Sequence, residues 1–216
     1  MSDKEVLKGF CGKWANKIAW LDARLELDCI HPIFLKRGIK EIPLKKESKV
    51  IDIGCGMGWA CRQMARVTTE GEVVGIDALE NAINKAGQLT LKDKSYDYKN
   101  LVYKVANATD IPYPGGYFDY AITFVSFSWW VDPDKALEEI VRVLKLKGKL
   151  YVLDVYDKGL GGMLARMSNH FLSFKEKIYS AGQYRTFLEK RFAEVWQKKM
   201  NPLGWGLLTV GIKNEC

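Results

Sequence analysis

The sequence predicts an α/β fold: a doubly wound, mostly parallel sheet of seven strands with helices on both faces and a C-terminal hairpin. Three observations carry the prediction. From residue 49 onward, short apolar runs alternate with longer stretches of helical apolar spacing, the pattern of strand and crossover helix. The first run, Val50-Ile51-Asp52-Ile53, opens into Gly54-Cys55-Gly56-Met57-Gly58, with glycine at every second position. The run over 118–125 is apolar but for Asp119 and Thr123, as expected of a strand buried on both faces.

The elements follow in order. Residues 4 to 40 have helical spacing, with Leu7, Phe10, Trp14, Ile18, Leu21 and Leu25 three or four apart, and His31-Pro32 breaks the pattern. Strands are expected at 49–53, 72–77, 101–106 and 118–125, with helices at 59–67 and 79–91. Pro112, Pro114, Gly115 and Gly116 make a loop before the fourth strand. Asp132-Pro133 is a helix start, a capping carboxylate followed by proline in the first turn. Leu137, Ile140, Val141 and Leu144 form its apolar stripe, and Gly148 is expected to close it before a strand at 149–155. An insert over 156–174 carries Gly159, Gly161 and Gly162 as hinges. Ser180 and Gln183 have capping-box spacing for a helix through about Lys190. Asn201-Pro202-Leu203-Gly204 reads as the turn joining two last antiparallel strands.

At 216 residues the chain fits one domain, with no repeat, low-complexity tract or linker to divide it. The charged N-terminus is unlike a signal peptide, and the longest mainly apolar run, 120–131, is shorter than the ~20 residues of a membrane span. Five cysteines (Cys11, Cys29, Cys55, Cys61, Cys216) without a CxxC pair indicate neither a disulfide framework nor a zinc site, which fits a reducing cytoplasm. The net charge of +7 sits at the ends: eleven basic against seven acidic residues over 1–49, twelve against fourteen over 50–154, and ten against five over 155–216. Basic flanks could meet nucleic acid or another anionic partner, but the cations are scattered, as on a solvated exterior.

The glycine loop decides the ligand class. A dinucleotide fingerprint needs glycine at 59, where Trp59 stands, and the third glycine has moved forward to Gly58. The string VIDIGCGMG, the acid ending VVGID at Asp77, the segment ANATDIPYPGGYFDYAITF and the later VRVLKLKGKLYVLDV resemble, in order and spacing, the class I S-adenosylmethionine-dependent methyltransferases. The resemblance is strong over 48–155 and weaker in the hairpin, and within the family it is greatest to the branch containing the ubiquinone/menaquinone-biosynthesis C-methyltransferases. It implies a Rossmann-like methyltransferase fold with the hairpin at the sheet edge. The implied layout is one domain over 1–216: a helical lid over 1–47, a cofactor-binding core over 48–155, and the insert, helix and hairpin over 156–216.

The resemblance also assigns roles. Asp52 would hold the cofactor's ammonium, the amides of Gly54, Gly56 and Gly58, with Cys55 between them, would line its methionine portion, and Asp77 would accept the ribose hydroxyls. Ala78 would flank the adenine, and Ala108 would offer its amide to a ring nitrogen. Asn107 stands where the family usually shows an aspartate; its carbonyl can accept the same bond without the charge. Val125 closes the cofactor side. Ser126, Ser128 and Trp129 are candidates for the acceptor site, where an aromatic face can stabilise a sulfonium, and His31 and His170 are the only imidazoles that could lie over it. Both tryptophans, Trp130 especially, could equally well pack against the following helix. No metal is implied. The expected activity is methyl transfer to a small-molecule acceptor, the alternative being an RNA-associated methyltransferase or RNA-binding protein using the basic flanks.

Overall fold

The computed structural model describes residues 31–159, 162–163, 166, 177–200 and 206–214. The chain runs α1 (His31–Lys40), β1 (Lys49–Ile53), α2 (Trp59–Ala65), β2 (Glu72–Asp77), α3 (Glu80–Lys92), β3 (Leu101–Val105) and β4 (Phe118–Phe124). A 3₁₀ turn (Phe127–Trp129) leads to α4 (Pro133–Val143), β5 (Leu144–Asp154), α5 (Ala181–Glu189), β6 (Glu194–Lys199) and β7 (Leu207–Ile212). One sheet holds all seven strands in the order β3-β2-β1-β4-β5-β7-β6. The first five strands pair in parallel, while β7 runs antiparallel to both β5 and β6.

Alternation along the strands fills two cores. In β1, Val50 faces a cluster with Leu35, Met64, Ile122 and Leu208, on the side covered by α1 and α2. Ile51 and Ile53 face the other, with Phe127, Leu137, Ile140, Tyr184 and Leu188, covered by α4 and α5. The period of two sends Asp52 to the same face as Val50.

The helix starts follow their capping signals. Asp132 accepts the Lys135 amide at 3.0 Å, with Pro133 in the first turn. At α5 the Ser180 hydroxyl accepts the Gln183 amide at 3.2 Å, and the Gln183 side chain accepts the Ser180 amide at 2.8 Å. Ser180→Ala is expected to cost about 1 kcal/mol in chemical denaturation, because two amides lose their reciprocal caps.

Gly148 does not close α4. The helix ends at Val143, and β5 begins at Leu144, four residues before that glycine. Its last carbonyls are capped from far along the chain: the Lys213 ammonium donates to Val141 O and Leu144 O, each at 2.6 Å. Residues 144–148 continue the apolar spacing of the helix and so hide its end, whereas in the structure they open β5 at an irregularity of the β4–β5 register, with Leu144 buried, Leu146 and Lys147 exposed and Lys147 at φ 60°. His31-Pro32 likewise opens α1, proline being tolerated in a first turn. The helix expected before residue 31, most of the insert and the turn at 201–204 lie outside the described residues.

Candidate active site

The strand order reverses between β1 and β4, and in open α/β sheets the crevice outside the carboxyl ends at such a switch is where ligands bind. Two loops leave that point. After β1, Gly54, Gly56 and Gly58 take φ of 77°, 51° and 73°, a left-handed succession that only glycine adopts without strain. A Cβ at Gly54 would meet the Ser126 side chain, and one at Gly58 the Tyr103 ring, whereas one at Gly56 would meet nothing within 4 Å. The loop is thus packed at both ends and open in the middle.

Four of its N–H groups, all the glycines included, are spent inside the protein. Gly54 and Cys55 both donate to Ile76 O, at 2.8 and 3.0 Å, and Gly58 donates to Cys55 O at 2.9 Å. Gly56 donates to Asp77 Oδ2 at 3.0 Å. This corrects the expectation that the glycine amides line a ligand: the loop gives room at Gly56, not donors. A diphosphate would find no cradle of glycine amides here.

Two carboxylates flank that opening. Asp77, at the tip of β2, accepts from Gly56 on Oδ2 and from the Leu79 amide on Oδ1 at 2.9 Å, so its orientation is fixed while each oxygen keeps further acceptor capacity. Burial pushes its carboxyl above the ordinary carboxylate range, and the two amides oppose that rise. Asp52 is only 2% exposed, accepts the Cys61 thiol on Oδ2 at 3.1 Å, and is pushed up to about 7, first by burial and further by the charge of Asp77. Beside them, Ala78 is exposed and Ala108 half-buried.

Asn107 is held in a turn. Its Oδ1 accepts from the Thr109 amide at 3.1 Å and the Thr109 hydroxyl at 3.2 Å, leaving Nδ2 without a partner among the described residues. The carbonyl expected to face the ligand is therefore already engaged. In Asn107→Asp one oxygen can keep the turn while the other accepts from outside, so cofactor affinity is expected to rise several-fold in calorimetry. The following loop is anchored by α4, through Glu139 to the Ile111 amide at 3.0 Å and Arg142 to the carbonyls of Ile111 and Tyr113 at 2.9 and 2.8 Å. Sequence reading passed over these two residues, which sit two turns into a helix far along the chain.

After β4 the backbone turns at Val125, which has φ 56° and donates to Leu153 O at 2.7 Å. The Ser126 hydroxyl then bonds Ile53 O at 2.8 Å and Thr123 Oγ1 at 2.6 Å, tying the tip of β4 to that of β1. Ser126 is a structural link, not the acceptor-facing group expected. Ser128 is buried too: its amide donates to Asp154 Oδ2 at 3.1 Å, and its carbonyl accepts from Lys177 N at 3.1 Å. Trp130 packs on Phe127, ring centres 4.7 Å apart, while Trp129 is 41% exposed on the same turn. His170 and the His31 side chain lie outside the described residues.

Two further residues escaped the sequence reading. Asp154 ends β5 as Asp52 and Asp77 mark β1 and β2, and the rule that found those two would have found it. Tyr103 roofs the glycine loop from β3, donating to Gly58 O at 3.3 Å and meeting Thr90 Oγ1 at 3.2 Å. Among the described residues no group of three or more His, Cys, Asp or Glu could hold a metal ion, and no helix is long and apolar enough to cross a membrane.

Comparison with known proteins agrees with this geometry. The family model described as a methyltransferase domain matches residues 44–202. The chain is 26% identical over 178 residues to the demethylmenaquinone methyltransferase of Anoxybacillus flavithermus, covering 81% of this chain and 67% of that protein. It is 33% identical over 147 residues to the ubiquinone/menaquinone biosynthesis C-methyltransferase of Francisella philomiragia, covering 68% and 57%. It thus spans between half and about two-thirds of such curated relatives. The crystal structure of a SAM-dependent methyltransferase from Aquifex aeolicus superposes with a TM-score of 0.67 at 25% identity, over 91% of this chain and 96% of that one. With the switch-point loop and its two carboxylates in place, the chain belongs to the class I S-adenosylmethionine-dependent methyltransferases, in the branch of the quinone-biosynthesis C-methyltransferases.

Proposed function

We propose that the chain transfers the methyl group of S-adenosylmethionine to a small-molecule acceptor that enters over Trp129. The observation that carries this reading is the pairing of the buried Asp52 and half-buried Asp77 with a loop whose glycine amides are all engaged, which suits a cation and disfavours a phosphate. Asp77 would accept the ribose hydroxyls, Asp52 would hold the ammonium, Gly56 would leave room for the methionine portion, and Asn107 and Ala108 would border the adenine. The bound cofactor supplies a methyl group on a sulfonium, already a good leaving group. The protein's work is then to align the acceptor and exclude water, with Trp129 offering its face to the positive sulfur. The names of the quinone-biosynthesis relatives support a small aromatic acceptor. We treat 1–216 as one methyltransferase domain, with 1–47 as its lid.

The experiment combines calorimetry with labelled S-adenosylmethionine, a panel of small aromatic acceptors, and bulk RNA. Label in a small molecule is expected; label in RNA alone would overturn the acceptor class.

Asp52 adds a pH dependence. Its carboxyl must ionise to hold an ammonium, so with a value of about 7 the affinity for S-adenosylmethionine is expected to be about tenfold tighter at pH 8 than at pH 6. For the protein without cofactor the sign is opposite. The folded value lies above the ordinary 3.8, so the folded state holds the extra proton, and this contribution to stability is full below 3.8 and lost as pH rises through about 7. Asp52→Asn should flatten both profiles in calorimetric titration and thermal melts.

A further inference from the structure

Under the glycine loop lies a pair of thiols that the methyl-transfer reading does not use. Cys55 belongs to the loop and is half-buried; Cys61, in the first turn of α2, is fully buried, and both are free. Gly75 of β2 makes room for them: a Cβ there would stand 2.9 Å from each sulfur and 2.8 Å from the Tyr103 ring. Each thiol has an acceptor of its own beside the other: Cys55 donates to Gly56 O at 3.8 Å and Cys61 to Asp52 Oδ2 at 3.1 Å.

We infer that Cys55 and Cys61 form a reversible oxidation site, whose disulfide locks the glycine loop against α2 and closes the cofactor crevice. The oxidant is a peroxide. The half-buried Cys55 sulfur attacks the O–O bond, giving a sulfenic acid and one water, and the Cys61 sulfur displaces the hydroxyl as a second water. Two thiols thus lose two hydrogens and two electrons, and hydrogen peroxide is reduced to two waters. Burial raises both thiols above the usual cysteine range, so the pair answers to sustained peroxide, not to traces. Closing the sulfurs to a bond of about 2.05 Å draws residue 55 toward the helix, across the opening at Gly56. It also consumes the proton that Cys61 donates to Asp52. The effect on cofactor binding rests on the function proposed above; formation of the bond does not.

The test uses the full chain, treated with hydrogen peroxide, blocked with iodoacetamide and cut with trypsin. Both cysteines fall in one peptide, residues 50–62, bounded by Lys49 and Arg62. It is expected to lack two hydrogens and escape alkylation, and to be restored by dithiothreitol; a sulfoxide at Met57 would instead add oxygen. Affinity for S-adenosylmethionine is expected to fall about tenfold on oxidation and to recover on reduction. In Cys55→Ala and Cys61→Ala, each compared with its own untreated form, that loss should vanish. A doubly alkylated peptide after peroxide would overturn the proposal, as would a disulfide that leaves affinity unchanged or an undiminished loss in Cys61→Ala. If the untreated protein binds no S-adenosylmethionine, the cofactor reading fails, while the peptide mass still decides whether the thiols pair.

Discussion

Gly56→Val is expected to weaken S-adenosylmethionine binding at least about a hundredfold in calorimetry, while the protein remains folded by circular dichroism. Two effects combine. At φ 51° a β-branched residue is strained, on the order of 1–3 kcal/mol, which should lower the melting temperature by several degrees. The larger effect is steric, because a Cβ at this position touches nothing in the protein and projects into the space left for the cofactor. Gly56→Ala separates them: it shares the strain but adds only one methyl group, so its affinity should fall between wild type and valine. Wild-type affinity in Gly56→Val would mean that the crevice between β1 and β4 is not where the cofactor sits.

Asp77→Ala should cost about 2–3 kcal/mol of cofactor binding, roughly 30- to 150-fold in Kd, through the loss of charge-assisted hydrogen bonds to the ribose. The structure adds a second loss, since the same carboxylate receives the Gly56 and Leu79 amides and so fixes the loop. Asp77→Asn keeps one acceptor oxygen and should fall between, which tells ribose recognition apart from loop support. A Kd within twofold of wild type in Asp77→Ala would remove Asp77 from the site.

What the sequence revealed and what it concealed divide along a physical line. Strand ends β1 and β2, the caps Asp132 and Ser180, and the glycine loop were legible because each rests on chemistry within a few residues. The antiparallel pairing of β6 with β7 followed from the turn composition between them. The direction in which polar groups point was not legible, because it depends on partners distant in sequence. Ser126 is claimed by Ile53, 73 residues earlier, Ser128 by Asp154, and the end of α4 by Lys213. The glycine amides belong to the same class: the motif announces a loop, but only the neighbouring strand β2 shows that its donors are taken.

Val125 carries a consequence of its own. A branched side chain forced into left-handed geometry at the lip of the crevice is kept there by the Leu153 carbonyl and by the Ser126 link that follows. Relaxing it with Val125→Gly should leave native-state energy little changed or improved, yet turnover should drop, since the neighbouring aromatic rim would wander. Endurance and speed are thereby set against each other at a single peptide unit.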